Sequence, residues 1–273
     1  MSGIHLSHEP QERARGVRAV DRTLRILSLF ATKPKVEWNL EEIASGVELP
    51  KSTTHRLLET LIAQRFVELG SRHGTYRLGL RAAVVGNTAM QNRRPNEDVH
   101  AMLCAAASEV SDGVGLSVLE GTDAVIVDRA ASPRPLQWNL SVGGSLPAHQ
   151  AAAGKVLLSG FRDEHIRRLY ADVELPRATS RTVVSVDELL LHVARVRRDG
   201  FAVDDEELEE GLRCVAVPVV NATGRLTHAL GVSGPAARTS MQDLLRLVAP
   251  LQRTAAAISP FITLVARDPA PFR

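Results

Sequence analysis

From Pro50 to Leu61 the chain reads Pro-Lys-Ser-Thr-Thr-His-Arg-Leu-Leu-Glu-Thr-Leu, a pattern suited to a nucleic-acid groove. At ~100° per residue, Leu57, Leu58, Leu61 and Ile62 share one helical arc with Thr54. Lys51, Ser52, Thr53, Arg56, Glu59 and Thr60 fall outside that arc, with His55 at its margin. An Arg guanidinium can fork onto guanine O6 and N7, while short hydroxyls and backbone N–H groups hold phosphates. Lys51, Ser52, Thr53, His55 and Arg56 are therefore candidate contacts to double-stranded DNA. Arg72, in the turn Gly70-Ser71-Arg72-His73-Gly74, and Arg77, in Thr75-Tyr76-Arg77-Leu78, suit the phosphate backbone or minor groove. Arg13, Arg15, Arg18, Arg22 and Arg25 form the densest basic run, and Arg18 joins the candidates. A solvated arm and one polar helix face is the alternative account of that run.

These side chains need elements to aim them. Asn39 can cap a first short helix, with Glu42 reaching back as a capping box. Gly46 is suited to the left-handed residue that ends that helix, and Pro50 to the first turn of the next. The result is two helices around a tight turn. An ordinary amphipathic surface helix would share the pattern of the second one, and the next segment separates the two cases. Arg65 to Leu69 and Thr75 to Leu78 alternate as a hairpin, which after a recognition helix is a wing. Val17, Val20, Leu24, Leu27 and Phe30 repeat at helical spacing and predict a first helix packed behind the other two. The expected winged helix spans 14–78.

Composition supports this division. Residues 1–94 hold 15 Lys and Arg against 9 Asp and Glu, whereas the remainder holds 18 against 22. The basic excess thus sits where DNA contact is inferred, and raises affinity by counterion release without choosing a sequence. At 273 residues, 44% hydrophobic and 23% charged, the chain fits two ordinary globular domains. It contains no apolar run of about eighteen residues and no signal-peptide pattern, so no membrane partner and a cytoplasmic location are expected. Two cysteines, Cys104 and Cys214, are too few for a disulfide framework or a cysteine-rich metal site.

Leu80, Val84 and Val85 predict a connector helix over 79–95, closed by the polar run to Pro95. Residues 96–262 then alternate helical and strand patterns. Helices are expected over 96–111, 151–158 and 163–170, and from Ser185, capped with Glu188, to about Arg198, with a last one from Ser240. Strands are expected at 115–119 and 124–128 as a hairpin, then near 201–203, 214–220 and 227–232. The fold class is α+β, an antiparallel sheet flanked by helices.

The run Gly200-Phe-Ala-Val-Asp204-Asp205-Glu206-Glu207-Leu-Glu-Glu-Gly211-Leu-Arg213-Cys214-Val215-Ala216-Val-Pro-Val219-Val220-Asn221 closely resembles the signature of IclR-type bacterial transcription regulators. Pro50 to Leu61 resembles that family's recognition helix, and His149-Gln-Ala-Ala-Ala153-Gly154-Lys155 its effector-domain motif. The resemblance covers roughly 14–260. Thr54 stands where an aliphatic residue is usual, and Val220 where an aromatic or His is common. The resemblance implies a winged helix joined to a GAF-like effector domain and a homo-oligomer, dimeric through the winged-helix halves and connector or tetrameric through the effector domains. It also implies a small carboxylate or aromatic acid effector from a catabolic pathway. By motif position the effector contacts are Ala152, Ala153, Asp204, Cys214 and Ser233, with Leu212 as an apolar wall. Gly231, where some relatives carry a polar side chain, leaves room for a different or larger ligand.

The same positions can be read chemically. Ala152-Ala153-Gly154 at a helix start exposes backbone N–H groups to an anion, and Ser233 and Cys214 add donors. Tight packing of small residues between helix and sheet is the alternative. Asp204, Asp205, Glu206, Glu207, Glu209 and Glu210 read for the most part as an exposed acidic loop, because no His accompanies them to make a metal site. His149 is expected to pin the loop before residue 151, and Gly200 and Gly211 to allow turns. No cofactor and no catalysis are expected. Two other classes stay open: a thiol hydrolase using Cys214, His149 and Asp204, and an architectural DNA protein without an effector.

Overall fold

The computed structural model describes residues 17–32, 37–91, 97–131 and 141–262. Arg13, Arg15 and the polar stretch Asn92 to Asn96 lie outside the described residues. The chain divides into two compact units, 1–89 and 90–273.

The first unit contains α1 (Arg18–Thr32), β1 (Trp38–Asn39), α2 (Leu40–Gly46), α3 (Lys51–Ala63), β2 (Val67–Leu69), β3 (Thr75–Leu78) and all but the last two residues of α4 (Leu80–Gln91). The capping box forms as expected: Asn39 Oδ1 accepts from the Glu42 amide at 2.9 Å, and Glu42 Oε2 accepts from the Asn39 amide at 3.0 Å. The turn differs in detail. Gly46 stays within α2, and the left-handed residue is Glu48, at φ 54°. Gly46 serves close packing instead, because a Cβ there would stand 2.9 Å from both methyls of Leu29 on α1. Pro50 sits at the N-cap of α3. That helix closes with paired bonds from the Phe66 amide to the Leu61 carbonyl and from the Arg65 amide to the Ile62 carbonyl, both 2.9 Å, with Arg65 at φ 61°.

The core of this unit is built from Ile26, Phe30, Trp38, Ile43, Leu58, Leu61 and Tyr76. Val17, Val20 and Leu24, expected to pack behind the reading helices, are instead 68%, 54% and 56% exposed. The true stripe of α1 runs through Ile26 and Phe30, so the apolar repeat read from the sequence mixes a buried face with an exposed one. The strands form a three-stranded antiparallel sheet in the order β1-β3-β2.

The second unit contains α5 (Glu97–Val110), β4 (Val114–Glu120), β5 (Asp123–Ala130), β6 (Ser145–Pro147), α6 (Ala152–Leu158), α7 (Asp163–Leu169), α8 (Val186–Asp199), β7 (Ala202–Asp205), β8 (Leu212–Val220), β9 (Leu226–Pro235), α9 (Met241–Arg246) and α10 (Val248–Ile258). Six strands form one antiparallel sheet in the order β6-β5-β4-β9-β8-β7, so the α+β class holds. Gly200 and Gly211 do adopt positive φ, 76° and 80°. Helices α5 and α10 pack on one face, where Leu103, Leu116, Leu230 and Leu251 are fully buried. Each such side chain contributes about 1.5–3 kcal/mol relative to exposure. Helix α6 covers the other face, against β8 and β9.

Strand β5 carries one irregularity with a chemical consequence. Leu116 pairs with Asp128, but Ser117 pairs with Ile126, so Val127 is an extra residue in a bulge. Val127 packs into the α5–α10 core, and Asp128, on the same face, accepts at 2.9 Å from His100 of α5. Ile126 and Arg129 are thereby both returned to the opposite face.

Candidate nucleic-acid interface and ligand cavity

On α3, Lys51, Ser52, His55 and Arg56 are exposed and Thr53 is half-buried, all displayed by a helix anchored through Leu58 and Leu61. Thr54 is fully buried and donates its hydroxyl to the Pro50 carbonyl at 3.1 Å, so the departure from an aliphatic residue leaves no stranded polar group. Lys51 is 2.9 Å from Glu41, and His55 Nδ1 is 3.6 Å from Glu59. Arg72 is exposed at the wing tip, and Arg77 is exposed on β3 with Glu68 at 2.8 Å. Arg18 is exposed at the start of α1. The wing is tied to the body by Glu37, which accepts from the Ser71 amide at 2.7 Å, the Ser71 hydroxyl at 2.6 Å and the Thr75 hydroxyl at 2.9 Å. Those donors hold its carboxyl down at a pKa of about 2.

In the second unit a cavity opens between the sheet and the start of α6. Its empty space, open mouth included, is about 690 Å³. Of the six residues expected around an effector, Ala152, Ala153, Cys214 and Ser233 line it, whereas Asp204 and Leu212 do not. Leu212 packs into an apolar cluster with Val156 and Leu157. Asp204 lies one strand beyond the wall, paired in register with Cys214, which is itself paired with Ser233. Sequence reasoning missed Arg129, which the bulge in β5 brings into the lining, and Ser117 beside it.

The start of α6 also differs from expectation. The helix has seven residues, and its N-cap, Ala151, makes no side-chain cap. A Cβ on Gly154 would stand 2.2 Å from the Ala148 Cα, so that glycine is fixed by tight backbone packing rather than by exposure to an anion. Ala152 and Ala153 still contribute a low, apolar roof.

Behind the wall lies a buried charge cluster where an acidic loop was expected. Lys155 of α6 is 1% exposed; its ammonium donates to the Glu207 carboxylate and, at 3.2 Å, to the Val203 carbonyl. Asp204, 0% exposed, accepts from the Glu207 amide at 2.7 Å and the Leu208 amide at 3.3 Å. Asp204 Oδ2 and Glu207 Oε2 have no partner among the described residues. Burial pushes both carboxyls above their ordinary pKa, with Lys155 pulling the other way. Asp205 and Glu206 are half-buried against Arg213, at 2.6 and 3.4 Å, and only Glu209 and Glu210 are exposed. The acids sink because their cation comes from another element, which no local charge pattern reveals.

Cys214 is buried, and its thiol pKa is driven well up by desolvation and by Asp204, opposite to an activated nucleophile. His149 does not join it. The ring stands edge-on to Tyr170 at 6.4 Å and its Nε2 is buried without a partner among the described residues, while the Pro176 carbonyl accepts from Gln150 Nε2 at 2.9 Å. Burial lowers the His149 pKa.

A capped helix, a tight turn, a second helix with an exposed Arg and hydroxyls, and a tethered basic hairpin are the working parts of a winged-helix DNA-binding transcriptional regulator. Comparison with known proteins fixes the particular lineage. Residues 19–70 match the IclR helix-turn-helix domain and residues 89–260 the bacterial transcriptional regulator IclR C-terminal domain. The chain belongs to the IclR family of transcriptional regulators. It is 32% identical to the acetate operon repressor of Salmonella typhimurium over 245 residues, 89% of each chain. A regulator from Rhodococcus sp. RHA1 superposes with a TM-score of 0.68 at 30% identity, covering 89% of this chain and 97% of that one. An IclR homologue from Microbacterium hydrocarbonoxydans, solved in complex with 4-hydroxybenzoate, shares the fold at a TM-score of 0.67 and 23% identity, covering 88% and 97%. Among the described residues, no helix is long and apolar enough to cross a membrane.

Proposed function

We propose that the chain is a homo-oligomeric repressor of a catabolic operon. It reads a double-stranded operator with α3 and the wing and releases it when a small carboxylate or aromatic acid enters the cavity. The observation that carries the sensing half is the cavity itself, with the polar groups of Ser117, Cys214, Ser233 and Arg129 set in an otherwise apolar lining. Repression is supported by the acetate operon repressor, and an organic acid effector by the 4-hydroxybenzoate complex of the Microbacterium homologue. Self-association is supported by apolar side chains left in water: Leu80, Val84 and Val85 on α4 and Val20 and Leu24 on α1. A symmetric dimer would meet half-sites about one helical turn, ~34 Å, or more apart. Switching requires the acid to prefer the DNA-released arrangement by about 1–3 kcal/mol.

Gel-retardation of the chain's own promoter fragment at low and moderate salt, with random DNA as competitor, tests the reading. Specific retention that a carboxylic acid abolishes is expected, and no retention at either salt would overturn it. Arg56→Ala should weaken specific over random binding by about 1–3 kcal/mol, whereas an equal loss on both would remove Arg56 as a base reader.

A further inference from the structure

Resting on the sensor reading, we infer that Arg129 is the carboxylate anchor of the cavity and that the ligand is planar, lying flat on a strip of sheet without side chains. Paired residues of antiparallel strands face the same way. Arg129 pairs with Gly115, Gly115 with Gly231, and Gly231 with Ala216. This row therefore runs from a guanidinium across two bare glycines to a methyl group, and all four residues line the cavity. A glycine within a strand weakens it unless another group must approach the backbone closely. At Gly115 none of the described residues stands within 4 Å of where a Cβ would be, so they leave the room over it unfilled.

The neighbouring row, Ser233 and Cys214, borders the strip with two weak donors, and Ala152 and Ala153 roof it. The space is thus a slot between peptide planes below and methyl groups above. Among the described residues, Arg129 is the one charged side chain in its lining. A guanidinium presents paired N–H groups that match a carboxylate in one plane, so an acid held edge-on by Arg129 has its ring directed along the glycine strip. Anion capture is thereby assigned to β5, because α6 is short and its glycine is consumed by packing on Ala148.

Thermal denaturation of the full-length protein with millimolar benzoate, benzamide and pyruvate tests this, since a ligand that binds only the folded state raises the melting temperature. Benzoate should outbind both other probes on the unaltered chain, a comparison that needs no variant. Arg129→Gln should cost benzoate about tenfold or more in affinity and bring it level with benzamide, and Arg129→Lys should fall between. Gly115→Val, whose side chain enters open space, should remove benzoate binding while pyruvate still binds. Equal benzoate affinity in the unaltered and Arg129→Gln proteins would overturn the anchor. Pyruvate outbinding benzoate would overturn the planar slot while leaving the sensor reading intact. If no acid, including a wider carboxylate panel, stabilises the unaltered chain, the inference and the sensor reading both fail.

Discussion

Each unit of the molecule contains a Lys–Glu pair, and the two pairs do opposite work. Lys51 and Glu41 meet at 2.9 Å with side chains 59% and 76% exposed, where water screens the attraction. Lys155 and Glu207 meet with side chains 1% and 8% exposed, and Asp204 adds a second buried carboxyl. In the winged helix the cation stays in water and is only loosely held by its glutamate. In the cavity-bearing unit the cation is captive, and ties α6 to β7 and to the loop that follows it. The distance between charged atoms says little until burial is known.

The largest contrast between the two pairs emerges when each ammonium group is removed in turn. Lys155→Met should destabilise the second unit by about 3–5 kcal/mol, because it strands buried carboxyls, whereas Lys51→Met should cost at most about 1 kcal/mol. Urea unfolding of the two variants checks this, and equal midpoints would erase the distinction. The next effect is on acid response. Burial lowers the pKa of His192 and His228 to about 4, so the unfolded chain binds their protons first. Stability from both is present above about 6.5 and is lost as pH falls toward 4. Asp204 and Glu207, with raised values, act with the opposite sign, so the histidines are isolated by substitution: His192→Gln with His228→Gln should flatten the fall in urea midpoint between pH 7.5 and 4.5. In the winged helix the sign is that of a depressed carboxyl: the Glu37 tether is intact above pH 4.5 and is lost only as pH falls through about 2. The smallest effect concerns that tether. Glu37→Gln at neutral pH should speed hydrogen exchange of the Ser71 amide and loosen the wing without unfolding the unit.

What was legible in the sequence was whatever is encoded within a few residues. The Asn39–Glu42 box, the Ser185 cap that accepts from the Glu188 amide at 3.2 Å, and the hairpin around Gly121 were all readable because partner and position are local. Strands β1 and β6, of two and three residues, are too short to show alternation. The cavity was half legible. Family motifs pointed to Ala152, Ala153, Cys214 and Ser233, but alternation alone puts Ile126 and Arg129, three apart, on opposite faces. A one-residue bulge restores them to the same side, and a bulge leaves little trace in composition. Lys155 was hidden for a different reason. Its partner Glu207 is 52 residues away, so the charge balance of the loop is set by a helix that no window around the loop contains.

Lysine is scarce in this protein, with only Lys33, Lys35, Lys51 and Lys155 among 273 residues, and the last is the sole one beyond the winged helix. An amine-acylating reagent would therefore tag the cavity-bearing half at a single atom, and only during moments when α6 lifts from its seat. The tagging rate at Lys155 is a built-in gauge of how often that half breathes, and of whether an occupied cavity makes it breathe less.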